Sequence, residues 1–343
     1  MQIIRKSFEI LYNRLKPVIF TATKKDPEKA HQLFVTFCQT LYKTKTDKLF
    51  FDYPKNSESK FEISNAAGFN KNAEIPPSVL YYLGFNRAVI GTVTAEPNAG
   101  NPRPRCQRYP ESRSLINKMG LPSQGAKIVA QRLLKYKTSP IPLTINFAAT
   151  PAKTGSQIIE DLLKTVRIMK NIKKADRFEL NISCPNISSA GIYQIETLDK
   201  ILKSVSAQTQ DKEIFLKISP DIDKEYANRL FNIASQHKIT GFVIANTTKK
   251  YLKKYIPQSP GEGGASGKAV YKHSLQVQRI FEDIIKKNGA SQKIIACGGI
   301  DTVKKAQERL NPITTGIQIY TPFIYEGPKL IRTIKTETKY KTS

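Results

Sequence analysis

The sequence is poor in the residues that bind metals or build disulfide frameworks. Its four cysteines, Cys38, Cys106, Cys184 and Cys297, are widely spaced and form no CxxC pair, and its three histidines are scattered. A structural zinc, a metal cluster and a disulfide scaffold are therefore not expected, and a reducing cytosolic compartment is. No stretch approaches the roughly 20 apolar residues that span a bilayer, and no secretory signal is evident. Acidic residues are scarce as well: 28 Asp and Glu stand against 55 Lys and Arg, a formal net charge of +27. Such a charge favours polyanions, either nucleic acid or an anionic membrane face. The lysines lie in dispersed pairs such as Lys173-Lys174, Lys249-Lys250 and Lys286-Lys287, without interleaved aromatics. A solvated lysine surface explains that dispersal better than a nucleic-acid footprint.

What is present suits one large α/β unit. The 343 residues and 40% hydrophobic content are enough for a substantial core plus an appendage. One stretch stands out, Glu179-Leu180-Asn181-Ile182-Ser183-Cys184-Pro185-Asn186. Phe178, Leu180 and Ile182 alternate with polar residues, which predicts a strand, and the run stops at Pro185. Amides present paired donors and acceptors and a thiol can ionise, so this tip suits a small polar molecule. It reads equally as a strand followed by an Asn/Pro turn, with Cys184 an inert buried hydrophobe.

At the N-terminus, Ile4, Phe8, Leu11 and Leu15 recur at helical spacing among basic residues. A second helix opens at Asp26-Pro27-Glu28, a cap followed by proline at the first helical position, and carries Ala30, Leu33, Phe34, Phe37 and Leu41 on one face. Two amphipathic basic helices predict an interfacial membrane anchor or a lid, with simple packing onto the larger unit as the alternative. Residues 1–44 are thus set apart from a main unit of 45–343.

Beyond residue 60, strand-like runs at 61–67, 87–93, 141–147, 177–183, 214–219, 241–247, 293–299 and 316–321 alternate with helical patterns. The patterns fall at 123–137, 156–171, 198–207, 224–237, 274–287 and 303–310, with a short connection near 76–82. This alternation predicts a closed (β/α)8 TIM-type barrel, or failing that an open doubly wound sheet. Nearly every strand ends in Gly, Asn, Lys or Thr. In a barrel those ends converge on one mouth, where ligands bind.

The same residues resemble the dihydroorotate dehydrogenase family, in particular its membrane-associated, quinone-reducing class. The likeness lies in Asp26-Pro27-Glu28-Lys29-Ala30-His31, Ala66-Ala67-Gly68-Phe69-Asn70-Lys71-Asn72, Gly91-Thr92-Val93-Thr94 and Gly100-Asn101-Pro102-Arg103-Pro104-Arg105. It continues through Leu115-Ile116-Asn117-Lys118-Met119-Gly120, Asn181 to Asn186, Asn246-Thr247-Thr248 and Gly263-Gly264-Ala265-Ser266-Gly267, ending with Gly298-Gly299-Ile300-Asp301 and Gln318-Ile319-Tyr320. These stretches follow family order from residue 26 to 329.

The resemblance implies an FMN-containing barrel that oxidises dihydroorotate to orotate in pyrimidine synthesis. By that likeness Ala67, Gly68, Phe69, Asn70, Lys71, Thr92, Asn146, Asn181, Lys217 and Ala245 surround the flavin, and Gly267, Gly299, Tyr320 and Thr321 hold its phosphate. Lys71, Asn117, Lys118, Met119, Gly120, Leu121, Asn181, Asn186, Asn246 and Thr247 match the substrate positions. Cys184 stands at the catalytic base, and His31, Arg108 and Tyr320 match polar positions on a quinone path. An anionic membrane surface, on the cytoplasmic face of the bacterial inner membrane, is the implied location. Three departures are visible: cysteine where the quinone class typically has serine, Ala245 for a threonine, and Phe147-Ala148-Ala149-Thr150 for Gly-Lys-Asn-Lys. Cysteine at the base is usual in the soluble class, so fumarate is the competing acceptor. A tRNA dihydrouridine synthase is a more distant alternative that would suit the charge, but no RNA-binding module follows the barrel pattern.

Overall fold

The computed structural model describes residues 2–48, 59–136, 139–182, 194–209, 212–250, 253–257 and 262–340. Helix α1 (Gln2–Ala22) runs 21 residues and continues through Pro17. Helix α2 (Pro27–Lys43) starts where the cap signal placed it, with the Asp26 carboxylate accepting from the Glu28 N–H at 3.2 Å.

Eleven strands follow among the described residues: β1 (Glu62–Asn65), β2 (Ala88–Val93), β3 (Cys106–Tyr109), β4 (Ser114–Asn117), β5 (Leu143–Phe147), β6 (Ala175–Asn181), β7 (Glu213–Ile218), β8 (Gly241–Ile244), β9 (Gly264–Gly267), β10 (Lys293–Cys297) and β11 (Thr314–Ile319). Eight of them form one parallel sheet in the order β1-β11-β10-β8-β7-β6-β5-β2. A parallel bridge between Ser64 and Arg87 joins its two ends, so the sheet closes into a barrel. The eight barrel strands are the eight runs read from sequence. The alternation did not announce the second sheet, β3-β4-β9, which is antiparallel. It is assembled from the segments after β2 and β8 and brings Cys106, Arg108, Asn117 and Gly267 together.

Alternation along the strands takes on a different meaning once the ring is closed. In β6, Phe178 and Leu180 face the surrounding helices and join the main core with Leu162, Val166, Leu198 and Ile201. The polar set, Arg177, Glu179 and Asn181, is buried too, on the barrel interior. That interior is layered. At the N-terminal end of the strands Glu62 binds Arg87 at 3.0 Å and Arg177 at 2.7 Å. Arg87 also reaches Asp176, and Arg177 reaches Glu213 at 2.8 Å. Above this floor, Phe215, Val243 and Ile295 form an apolar plug with Ala66 and Cys297. The polar residues near the mouth come next.

The N-terminal helices are not loosely attached. Val35, Cys38 and Leu41 of α2 are 2%, 0% and 4% exposed and belong to the main core cluster. Glu28 grips Arg105 through two bonds of 2.8 and 3.1 Å. Helix α1 is held at fewer points: Tyr12 donates to the Ile324 carbonyl at 2.7 Å and Lys16 to that of Tyr325 at 2.6 Å. Its Ile10, Leu15 and Val18, with Leu33 of α2, are the exposed large apolar side chains at this end. No helix among the described residues is long and apolar enough to cross a membrane.

Candidate active site

A cavity of about 440 Å³ opens at the C-terminal ends of the barrel strands and continues between α1 and α2. Its deep part is made of strand ends, because a parallel barrel aims all of them at one mouth. Its outer part is apolar, lined by Leu15, Ile19 and Phe20 of α1 and by Leu33, Phe34 and Phe37 of α2. Phe69 joins the two parts. Its ring stands edge-on to Phe34 (5.8 Å), His31 (6.0 Å), Phe323 (5.3 Å) and Tyr320 (5.3 Å).

Most residues singled out by sequence meet here. Ala67, Gly68, Phe69, Lys71, Thr92, Asn117, Met119, Leu121, Asn181, Lys217, Ala245, Asn246, Thr247, Gly267, Gly299, Tyr320 and Thr321 all line the cavity, as do His31 and Arg108. Asn181 accepts from Asn246 at 3.3 Å. Thr247 Oγ1 is buried without a hydrogen-bond partner among the described residues.

Four expected residues sit outside the lining. Asn70 folds back on its own loop, donating to the Ile75 carbonyl at 2.8 Å and accepting from its N–H at 3.0 Å. Asn146 is fully buried beneath the cavity and donates to Glu179 at 2.8 Å. Lys118 points outward to Glu262 at 3.3 Å. Gly120 shapes the β4 exit, its carbonyl accepting from Asn98 at 2.7 Å. Cys184 and Asn186 lie outside the described residues.

One end of the cavity is built for close backbone approach. Gly267 and Gly299 have φ of +75° and +69°. A Cβ on Gly299 would fall 2.5 Å from the Gly267 carbonyl oxygen, and one on Gly267 would fall 2.3 Å from that of Arg113. Two glycine backbones packed this tightly beside the Ser266 and Thr321 hydroxyls, themselves 2.8 Å apart, leave room for an anion against main-chain N–H groups. Fully buried Arg309 braces this rim from below, donating to the carbonyls of Ile244 at 3.0 Å and Cys297 at 3.4 Å. Those carbonyls end β8 and β10, just before Asn246-Thr247 and Gly298-Gly299.

The electrostatics follow from burial. Burial lowers the Lys71 pKa, while the nearby Glu28 carboxylate opposes that shift. Burial likewise pushes the Cys106 thiol up to about 12 and raises that of Cys297, so both line the cavity as neutral groups. Arg108 is committed to α1, donating to the carbonyls of Phe20 at 3.0 Å and Thr23 at 2.9 Å. Sequence reasoning passed over Gln318, Cys297 and Glu28 as lining residues. Each lies within or beside a quoted motif, and the strand parity shared by Lys217 and Gln318 was the available signal.

Burial, helped by the Lys71 charge, pulls the His31 pKa from 6.5 down to about 3. His31 is therefore a neutral hydrogen-bonding group at working pH. The unfolded chain protonates it near its ordinary value while the folded chain does not. The stability it contributes is present above 6.5 and is lost as pH falls toward 3, at up to about 1.4 kcal/mol per pH unit. A His31→Phe protein is expected to show a shallower fall of Tm with acid over that window. Superimposable acid limbs for the two proteins would rule the neutral histidine out.

A closed parallel barrel with tightly packed glycine backbones, amides, hydroxyls and lysines at its mouth defines an α/β-barrel protein with a polar small-molecule site at its C-terminal face. Comparison with known proteins narrows the class. The family model described as dihydroorotate dehydrogenase matches residues 55–341, and the chain belongs to that family. A dihydroorotate dehydrogenase (quinone) of Natronomonas pharaonis is 32% identical over 339 residues, covering 94% of this chain and 93% of the relative. One from Nitratiruptor sp. is 30% identical over 335 residues, covering 94% and 92%. Among solved structures, Eimeria tenella DHODH in complex with ferulenol superposes with a TM-score of 0.80 at 24% identity, covering 91% of this chain and 90% of that one. The ligand-free type from the same organism gives 0.79 at 25% identity.

Proposed function

We propose that this protein oxidises dihydroorotate to orotate in pyrimidine biosynthesis, using FMN as cofactor and passing the electrons to a membrane quinone. The observation that carries this reading is the continuity of the cavity, from the polar strand ends to an apolar passage between α1 and α2. The residues present fit FMN. Gly267, Gly299, Tyr320 and Thr321 would hold the phosphate, Ala67, Gly68 and Thr92 would floor the ring system, and Asn181 and Lys217 would meet its polar edge. Bound there, FMN supplies the acceptor for the hydride that leaves the substrate.

The chain's own groups do the rest. Lys71 would neutralise the substrate carboxylate, with the Glu28 carboxylate beside it opposing the loss of its charge on burial, and away from bulk water such a pairing counts for more. Asn117, Asn246 and Thr247 would pair with the ring amides and carbonyls, since an amide offers a donor and an acceptor at one place. Cys184, as thiolate, would take the C5 proton, and Asn186 would complete the amide set. The ring of Tyr320 and the neutral His31 separate this polar chamber from the apolar passage. Ile10, Leu15, Val18 and Leu33, exposed beside the exposed basic residues Arg14, Lys24 and Lys25, suit a peripheral seat on anionic lipid at the cytoplasmic face of the bacterial inner membrane.

The decisive experiment is anaerobic. The purified protein should be yellow with an FMN spectrum, dihydroorotate should bleach it, and a soluble quinone should restore the colour. Recolouring by fumarate but not by quinone would favour the soluble-class acceptor that Cys184 suggests. A colourless protein, or a yellow one indifferent to dihydroorotate, would overturn the reading.

A further inference from the structure

Glu179 is the one carboxylate among the described residues with no solvent exposure. Its position in β6 directs it into the barrel, below the cavity floor. Oε1 accepts from Asn146 at 2.8 Å and faces the Lys217 ammonium at 3.5 Å. Oε2 accepts from Gln318 at 2.6 Å, and Gln318 in turn accepts from Lys217 at 3.0 Å. Four strands, β5, β6, β7 and β11, thus contribute one side chain each to a hydrogen-bonded plate. Lys217 and Gln318 also line the cavity, whereas Glu179 and Asn146 do not. A carboxylate is costly to bury and is retained only when paired. An apolar residue in its place would extend the plug formed by Phe215, Val243 and Ile295, so packing alone gives no reason for the charge.

We propose that Glu179 is a positioning residue that acts on the cofactor through Lys217 and Gln318. Resting on the flavin reading above, the inference is that its charge offsets part of the lysine's field at the cavity and so sets how readily the bound flavin accepts electrons. Gln318, bonded to both ions, fixes the ammonium in place. In this low-dielectric layer the two opposite charges are felt strongly and unequally, the lysine being nearer to the ligand. A cavity facing an uncompensated lysine would hold the reduced, anionic cofactor more tightly. With Glu179 beneath it, that preference is moderated.

The test is the midpoint potential of the FMN-loaded protein, titrated anaerobically against a reference dye. Glu179→Gln keeps the shape and removes the charge. Asn146 can accept the new amide by turning over, because its Oδ1 has no partner among the described residues. The expected result is about a tenfold gain in binding of reduced over oxidised FMN, read in a two-electron couple as about 30 mV upward. An unchanged potential with a lowered Tm would mean that Glu179 is merely structural. Should Glu179→Gln fail to fold, two other proteins decide. Lys217→Met is expected below wild type, and Lys217→Met/Glu179→Leu above Lys217→Met, the double variant being the better folded because no unpaired ion remains. Equal potentials for those two would overturn the inference. A wild-type protein that holds no FMN, or is not bleached by dihydroorotate, would instead sink the functional reading itself.

Discussion

Cys184→Ala is expected to retain FMN and bind orotate while dihydroorotate reduces its flavin about 10²–10⁴-fold more slowly, the usual loss when a general base is removed. Oxidation of the substrate's ring C–C bond demands that a C5 proton leave as the hydride leaves C6. The Cys106 and Cys297 thiols are held neutral by burial, so neither is poised to accept a proton. A thiolate at position 184 would be. Cys184→Ser should keep part of the rate with its pH optimum displaced upward, because an alcohol ionises less readily than a thiol. Stopped-flow bleaching under anaerobic conditions measures both. An alanine protein reduced at the wild-type rate would remove Cys184 from the mechanism.

Removing residues 1–25 is expected to leave bleaching by dihydroorotate nearly unchanged while quinone reduction falls by about tenfold or more and binding to anionic vesicles is lost. Every residue placed in the substrate chemistry lies beyond position 60, whereas Leu15, Ile19 and Phe20 form one wall of the apolar passage. The cut is made before Asp26 rather than at residue 44 for an energetic reason. Helix α2 buries Val35 and Leu41 in the main core, worth about 1.5–3 kcal/mol each. That sum is a large share of the roughly 5–15 kcal/mol that stabilises a domain, so a cut at 44 would test folding rather than quinone access. If the shortened enzyme reduces quinone as well as the intact one, α1 is packing and nothing more. Continued turnover with fumarate in both proteins would move the acceptor to the soluble class.

The charge of +27 is carried by 55 Lys and Arg against 28 Asp and Glu. Part of it lies on exposed helix ends, as with Lys286 and Lys287 in the last turn of the helix Tyr271–Lys287, where cations also favour the helix dipole.

The sequence by itself determined the eight barrel strands and the helix start at Asp26, and it singled out many of the polar residues that line the cavity. These follow from local causes: hydrophobic period, capping chemistry, and polar residues placed at strand ends. It could not determine that Asn70 and Asn146 serve the scaffold rather than the cavity wall, since an amide has the same chemistry in either place and only its neighbours' positions choose. Nor could it show that Cys106–Tyr109, Ser114–Asn117 and Gly264–Gly267 form a separate sheet, because pairing segments some 150 residues apart is a long-range event. Glu179 shows the limit best. In one strand, alternation of Phe178, Leu180 and Ile182 with Arg177, Glu179 and Asn181 reads as one face buried and one wet. Closing the barrel buries both faces, and it brings an amide from β11 across the ring to a carboxylate from β6 that neighbouring β7 faces with an ammonium. Tertiary structure decided that pairing because the cost of a buried charge is set by what surrounds it, and no neighbour in the chain supplies those partners.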